Sequence, residues 1–268
     1  MEFTEKRNEK SRSKAHNMID DFLGRYKYQA GQSNLYGVFT SDSVFWDFRQ
    51  SLMDDCNNRC CYCMRNIRAT TLEHVILRST TDQEKYDKYF TIESDLERDD
   101  MKMETSIKEI TPHSPYPHTI AYENLIPSCF GHLESKDSKC CNLYRGEKFV
   151  HPLTFRKDIH DEIIYYHDGG IEWTAEPGDD PDDVLTLSKL GLDCLELTII
   201  RRIWYYLVSH NETPSTVDKD NMIYELIDLI NDNNEEEMIM QFKKPNYWRL
   251  ISEYDYFANQ NLFTIRQN

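Results

Sequence analysis

Hydrophobic positions in the first part of the chain recur at helical spacing. Ile19, Phe22 and Leu23 are separated by steps that place their side chains on one face of a helix. A second apolar cluster covers residues 44–53 and ends just before a group of cysteines. These patterns predict a mainly helical N-terminal segment over residues 1–55.

The pattern changes in the middle of the chain. Residues 70–76 place threonine, leucine, valine and isoleucine around a Glu-His pair, and such enrichment in β-branched residues is typical of a strand. Residues 80–112 are charged and poor in apolar positions, so we expect an insertion that is partly helical or mobile. Residues 56–157 are therefore predicted to form one core that this insertion interrupts.

Helical spacing returns in the C-terminal region, residues 158–268, after an acidic break at residues 179–183 that contains a proline. The pattern predicts three amphipathic helices and one acidic turn, with helices at 185–208, 222–230 and 247–257 and the turn at 231–237. Because a strand-containing core lies between helical segments, the predicted fold class is α+β.

Composition favours a folded protein in a reducing compartment. Hydrophobic residues make up 39% of the 268 positions, which is enough for a packed core. The chain contains no apolar run of about 18 residues, so we expect no membrane helix. Its polar N-terminus lacks the apolar stretch of a secretory signal, and we therefore expect a cytoplasmic protein.

The negative charge of the chain is unevenly distributed. The formal net charge is −16, yet residues 158–268 alone hold 23 acidic and 8 basic residues, a net charge of −15. The rest of the chain is therefore nearly neutral, and basic residues outnumber acidic ones between Lys136 and Lys157. A small phosphate-binding face is compatible with this distribution, whereas the acidic region favours a basic protein partner.

The cysteines form two groups. Seven of the eight lie between Cys56 and Cys141, and in a reducing compartment such clustering indicates metal ligation rather than disulfides. Two pairs of thiolates on tight turns can close a tetrahedral zinc site, which would be structural because it has no open position for water. The predicted ligands are Cys60, Cys63, Cys129 and Cys141.

Three alternatives stay open at this site. Cys140 competes directly with Cys141 as the fourth ligand, and Cys56 is a further substitute. The cysteines could also be ordinary thiols, buried or exposed, with no metal. Cys194 stands apart in an apolar helical pattern and is expected to be a buried, unreactive thiol.

Between and beside the cysteine groups lie side chains suited to phosphodiester hydrolysis. Glu73 and His74 stand together in the predicted strand, Asn124 precedes the second cysteine group and Asn142 follows Cys141. Hydrolysis of a phosphodiester needs a base that activates water and a cation that neutralises developing charge. A histidine can be the base, and carboxylate and amide oxygens can hold a hard cation.

The order of these motifs resembles the HNH, or ββα-metal, endonucleases. The matching residues are Cys60, Cys63, Glu73-His74-Val75-Ile76, Asn124-Leu125, Cys129, Cys141-Asn142 and Lys148. A narrower resemblance, to the HNH proteins of Septu and retron anti-phage systems, is carried by Tyr116-Pro117-His118, by residues 122–129 and by Cys141-Asn142 with Arg145, Gly146 and Lys148.

The resemblance implies a ββα-metal core, braced by the zinc knuckle and embedded in mainly helical segments. It implies that His74 is the general base and that Asn124 holds the loop that orients it. Glu73 and Asn142 would bind the catalytic Mg²⁺ or Mn²⁺. Arg145 or Lys148 would contact the phosphate backbone of DNA, and a separate ATPase would be the protein partner.

Other functions remain possible from the sequence. The same site could act on RNA, for example tRNA, because it recognises a phosphate and a metal more than a sugar. A zinc-binding adaptor would bind a partner and catalyse nothing. A toxin domain derived from a nuclease, or a decayed scaffold, is a third hypothesis.

Overall fold

The computed structural model describes residues 1, 4–6, 8–27, 35–68, 71–90, 96–104, 110–135, 138–174, 186–229 and 232–265. The described α-helices are α1 Glu9–Arg25, α2 Leu35–Phe39, α3 Val44–Asp55, α4 Gln83–Lys88, α5 Cys141–Arg145, α6 Ile159–Glu162, α7 Thr186–Lys189, α8 Leu195–Ser209, α9 Lys219–Asp228, α10 Asn233–Gln241 and α11 Pro245–Ser252. The described strands are β1 Thr71–His74, β2 Met101–Lys102, β3 Tyr116–Pro117, β4 Leu125–Ser128, β5 Ile163–Tyr166, β6 Ile171–Trp173 and β7 Phe263–Thr264. The fold is therefore a mixture of helices and small sheets, as the α+β prediction requires.

Contacts divide the chain into two units. The first comprises Met1–Cys61, Thr70–Ser128 and Phe149–His160, and the second comprises Tyr62–Ala69, Cys129–Lys148 and Asp161–Asn268. The predicted division at residues 55 and 157 was drawn from sequence patterns and stays a prediction.

Helix α1 forms where the hydrophobic spacing predicts a helix. Asn8 caps its N-terminus, since the side-chain Oδ1 accepts a hydrogen bond from the Ser11 backbone N–H at 3.2 Å. Ile19, Phe22 and Leu23 are all buried on one face. Helices α1, α2 and α3 confirm the helical prediction for the described part of residues 1–55.

Strands β1 and β4 form an antiparallel pair in the first unit. His74 is opposite Leu125, and Thr71 is opposite Ser128 at the other end of the pair. The strand prediction over residues 70–76 is thus confirmed, with β1 ending at His74. The pairing places Asn124, the residue before β4, beside the residues that follow His74.

The second unit contains a three-stranded sheet that the hydrophobic pattern did not predict. Strand β5 pairs with β6 antiparallel and with β7 parallel. Helix α8 is also in this unit, and its buried Arg201 donates hydrogen bonds to the carbonyl oxygens of Gly169 at 2.6 Å and Leu192 at 3.0 Å. The described C-terminal region is therefore helical but not exclusively so.

Two predictions in this region need correction, one of a helix and one of a turn. The helix predicted over 185–208 is interrupted, because the chain turns at Gly191, whose φ of +62° is left-handed. The acidic turn predicted at 231–237 is instead the start of α10, because Asp232 accepts hydrogen bonds from the backbone N–H groups of Asn234 and Glu235. In the described part of the chain, no helix is long and apolar enough to cross a membrane.

Candidate functional site

Four buried cysteines converge in the structure. The sulfur atoms of Cys60, Cys63, Cys129 and Cys141 all lie within 4.8 Å of one another. Cys63 and Cys129 are 3.8 Å apart, and sulfurs at the corners of a zinc tetrahedron with bonds of 2.3 Å are about 3.8 Å apart. The cluster could therefore hold a metal ion such as zinc.

Local backbone geometry sets the direction of these thiols. The Cys61 backbone N–H donates to the carbonyl oxygen of Pro127 at 3.1 Å, which ties the C-x-x-C turn to β4. Cys141 has a φ of +53°, which is unusual for a residue other than glycine. A strained backbone at a clustered thiol is consistent with a position fixed by ligation.

The segment between Cys129 and Cys140 closes as a short loop, although its length is unusual for a zinc knuckle. His132 and Lys139 form an antiparallel bridge, and the Cys140 N–H donates to the Gly131 carbonyl oxygen at 2.9 Å. Gly131 has a φ of +74°, and a Cβ at this position would overlap the carbonyl oxygen of Cys140. Glycine is therefore required where the loop begins.

The alternative cysteines occupy different surroundings. The group whose sulfurs lie within 4.8 Å of one another contains Cys141, but Cys140 is also buried and its thiol interacts with those of its neighbours in the cluster. The Cys56 sulfur lies 3.3 Å from that of Cys61. The Cys56 thiol therefore contacts the Cys61 thiol. Cys140 is a second thiol near the cluster, and a Cys140 variant can test whether it binds the metal.

Polar groups of the second unit support the cysteine cluster. The Tyr254 hydroxyl donates to the Cys63 sulfur at 3.7 Å. Arg65 forms a salt bridge with Glu253 at 2.6 Å and donates to the His132 carbonyl oxygen at 2.9 Å. Hydrogen-bond donors near a thiolate stabilise its negative charge and orient it toward a metal.

His74 is held at the end of β1 by a backbone carbonyl. Its Nε2 lies 2.8 Å from the Thr119 carbonyl oxygen, and because a carbonyl can only accept, Nε2 carries the proton. In the neutral imidazole, the lone pair is therefore on Nδ1. The ring is only 6% exposed, and the Tyr36 ring packs against it edge to face with centroids 4.5 Å apart.

Asn124 braces the chain that follows His74. Its Oδ1 accepts from the Ile76 N–H at 2.6 Å, and its Nδ2 donates to the carbonyl oxygens of Ile76 at 2.9 Å and His118 at 2.7 Å. The Asn124 backbone carbonyl also accepts from the Val75 N–H at 3.0 Å. These contacts hold the backbone of residues 75 and 76 against Asn124, and the role in orienting His74 stays a prediction.

Residues from the N-terminal segment secure the turn that carries Asn124. Glu123 accepts hydrogen bonds from Arg12 at 2.8 Å and pairs with His16 at 2.7 Å. Burial would raise the pKa of Glu123, but the hydrogen bonds from His16 and Arg12 keep that pKa below its ordinary value. Lys6, also buried, donates to the Leu125 carbonyl oxygen at 2.7 Å.

Backbone groups form hydrogen bonds with both ring nitrogens of His118. Its Nδ1 accepts from the Glu104 backbone N–H at 3.1 Å, and its Nε2 donates to the Leu77 carbonyl oxygen at 3.3 Å. Both ring nitrogens are thus engaged by backbone. Burial lowers the pKa of His118 to about 4, so the imidazole stays neutral at physiological pH and is best explained as a structural residue.

The remaining predicted site residues have distinct environments. Glu73 is buried in β1 of the first unit. Asn142 is half-buried in α5 of the second unit, and its pairing with Glu73 around a cation stays a prediction.

Arg145 is 0% exposed and its Nε donates to the Lys148 carbonyl oxygen at 3.2 Å. This burial argues against the expected phosphate contact by Arg145, whereas Lys148 is exposed.

The structure also brings side chains to His74 that the sequence motifs do not include. Tyr36 contacts the imidazole, and the Arg78 guanidinium lies over the Tyr36 ring, 5.1 Å from its centroid. The only sequence signal for Arg78 is its position four residues after His74. Tyr36 is distant in sequence from His74 and gave no signal.

No protein-family model, curated protein or solved structure matches the chain.

Substitution of the clustered cysteines should remove a bound metal. We expect the purified protein to contain about one zinc ion per chain, and Cys63→Ser and Cys141→Ser to lose it and to unfold at a lower temperature. Cys140→Ser should keep the metal if Cys141 is the fourth ligand. Elemental analysis and thermal unfolding would measure both effects, with Cys194→Ser as the control.

A methyl group at Gly131 should disturb the same cluster without removing a thiol. We expect Gly131→Ala to lower the free energy of unfolding by about 2 kcal/mol or more, because of its left-handed backbone and the overlap with Cys140. Zinc affinity should fall in a competition with a chelator. Gly24→Ala is the matched control, since a Cβ at Gly24 meets no neighbouring atom, and an equal effect of both changes would contradict this explanation.

Proposed function

We propose that this chain is an HNH-type endonuclease that hydrolyses phosphodiester bonds in DNA, with His74 as the general base. The observation that carries the proposal is the hydrogen bond from His74 Nε2 to the Thr119 carbonyl oxygen. This bond selects the tautomer whose Nδ1 can accept a proton from water. The engaged nitrogens of His118 make that histidine a poor alternative base.

The reaction follows from the groups around His74. Asn124 fixes the backbone of Ile76 and so limits movement of the strand end that carries the imidazole. His74 takes a proton from the attacking water while the Thr119 carbonyl stabilises the resulting imidazolium through its Nε2–H. Both contacts orient the ring before the substrate binds, which reduces the reorganisation required during the reaction.

The hard oxygen donors of Glu73 and Asn142 are suited to Mg²⁺ or Mn²⁺. When bound, such a cation would supply charge neutralisation at the scissile phosphate. The buried thiols would have a separate, structural role, because four sulfur ligands leave no position for a phosphate oxygen. Lys148, which is exposed, would contact the phosphate backbone in place of Arg145.

Replacement of His74 tests the catalytic proposal. We expect His74→Ala to lower the cleavage rate by about 10²- to 10⁴-fold, because the base is lost. Zinc content should change little, since the imidazole is not a predicted zinc ligand. Cleavage of plasmid DNA and of total RNA, with and without added Mg²⁺ or Mn²⁺, would measure the effect and separate DNA from RNA as substrate.

The exposed His113 provides the control for this experiment. His113→Ala should cleave as fast as the unchanged protein. Equal rates for His74→Ala and the unchanged protein would refute His74 as the base. If neither cleaves any nucleic acid while a biological effect persists in both, the zinc-binding adaptor becomes the better explanation.

We also propose that an ATPase partner with a basic surface binds the acidic C-terminal region. Support comes from α9 and the turn after it, where Tyr224 and Leu229 are exposed. Asp220 and Asp228 are exposed close by in sequence. Exposed apolar side chains close to acidic ones are features to which a basic partner can bind, because burial of the apolar groups and attraction to the carboxylates both favour the complex.

A positive charge at Leu229 should weaken partner binding. We expect Leu229→Lys to reduce the amount of ATPase that co-purifies from the native host by about tenfold, because an apolar contact is replaced by a charge that the basic partner repels. Ile265→Lys is the control, since Ile265 is similarly exposed. Recovery of the ATPase at equal yield with both variants, or no ATPase with the unchanged protein, would contradict the proposal.

A further inference from the structure

Two arginines flank the aromatic ring that packs against His74. The Arg78 guanidinium lies 5.1 Å from the centroid of the Tyr36 ring, and the charge of Arg49 also acts on the Tyr36 hydroxyl. The Arg49 guanidinium in turn lies 5.2 Å from the centroid of Trp46. Trp46–Arg49 and Tyr36–Arg78 are thus two cation–aromatic pairs of the first unit, named here together the arginine–aromatic strip, and the second pair reaches His74 through the Tyr36 ring.

The two arginines of this strip form no salt bridge with a carboxylate among the described residues. Among the residues that the structure describes, neither Arg49 nor Arg78 lies within salt-bridge distance of an acidic side chain. Other arginines of the same unit behave differently, since Arg12 pairs with Glu123 and Asp100, and Arg98 pairs with Asp87. Arg78 is exposed and Arg49 half-exposed, so an anion from solution can reach both.

Tyr36 adds no negative charge to the strip. Burial raises the pKa of its hydroxyl to about 12, although the positive charges of Arg78 and Arg49 oppose that rise. The phenol therefore remains neutral, and it can donate a hydrogen bond to an anion. The negative charge of Glu73 also raises the pKa of Tyr36. A phosphate bound at this ring would therefore lie near one carboxylate as well as near the arginines.

Trp46 gives the strip a second kind of contact. Its side chain is 66% exposed, which is unusual for the largest apolar residue. Exposed aromatic rings beside arginines are the combination with which proteins bind single-stranded nucleic acid, because rings stack on bases and guanidinium groups bind phosphates. A base in a duplex is already stacked and offers no face to such a ring.

We propose that the arginine–aromatic strip binds a single-stranded segment of nucleic acid, with Arg49 and Arg78 on backbone phosphates and Trp46 stacked on a base. The strip would deliver the neighbouring phosphodiester to His74. The delivery of a phosphodiester to His74 rests on the proposed nuclease function. The binding of nucleic acid by the strip does not, and it can be measured without cleavage.

The test is a binding experiment on the full-length His74→Ala protein, which removes the proposed base and so prevents turnover. Fluorescence anisotropy would measure the affinity for short labelled single-stranded DNA, single-stranded RNA and duplex DNA, without added divalent cation. Arg49→Gln, Arg78→Gln and Trp46→Ala are each introduced into this background. Arg98→Gln is the matched control, because the Arg98 guanidinium also lies over a ring, 5.5 Å from the Phe90 centroid, but is paired with Asp87.

Each arginine substitution should weaken single-strand binding by about three- to tenfold. Each should also reduce the slope of log affinity against log salt by about 0.7, the value for one lost phosphate contact on a single strand. Trp46→Ala should weaken binding with no change in that slope. Arg98→Gln should have no effect on either quantity, and lysine at position 49 or 78 should restore the slope.

Unchanged affinity and salt slope in Arg49→Gln and Arg78→Gln would overturn the proposal. So would an equal loss in Arg98→Gln, or tighter binding of duplex than of single strands. The DNA and RNA arms identify which nucleic acid is bound. Loss of binding in the arginine variants, together with equal cleavage by the unchanged and His74→Ala proteins, would retain the binding site and reject the nuclease.

Discussion

The convergence of four buried cysteines is the constraint on which the candidate site depends. Four sulfurs within 4.8 Å of one another are unfavourable as thiolates unless a cation neutralises them. Cys129 directly follows β4, whose last residue pairs with the first residue of β1. A metal held by these thiols would therefore fix one end of the strand pair, while His74 and Leu125 are paired at the other end.

Backbone hydrogen bonds, rather than charged partners, orient the proposed catalytic histidine. The Thr119 carbonyl determines which ring nitrogen of His74 carries the proton. Asn124 then limits how far the strand end can move, and the turn that contains Asn124 is itself secured by Arg12, His16 and Lys6. The N-terminal helix thus supports the site although none of its residues belongs to the sequence motifs.

Sequence patterns predicted the structural features that depend only on residues close together in the sequence. The spacing of Cys60 and Cys63 and the β-branched residues around His74 were sufficient because each describes a short segment. Local signals also exist for the cap of α10, where Asp232 is followed by Glu235, and for the turn between β5 and β6, which has the sequence Asp-Gly-Gly. The parallel pairing of β7 and the contact of Tyr36 with His74 join distant segments and had no local signal. The burial of Arg145 also had no local signal, because a five-residue helix gives too little pattern to distinguish its buried face.

The most direct test of this account is X-ray absorption spectroscopy of the purified protein at the zinc edge. The account predicts one zinc environment of four sulfur atoms at about 2.3 Å, with no nitrogen or oxygen ligand. A shell that contains nitrogen or oxygen ligands, or protein that holds no zinc while it is fully folded, would contradict it.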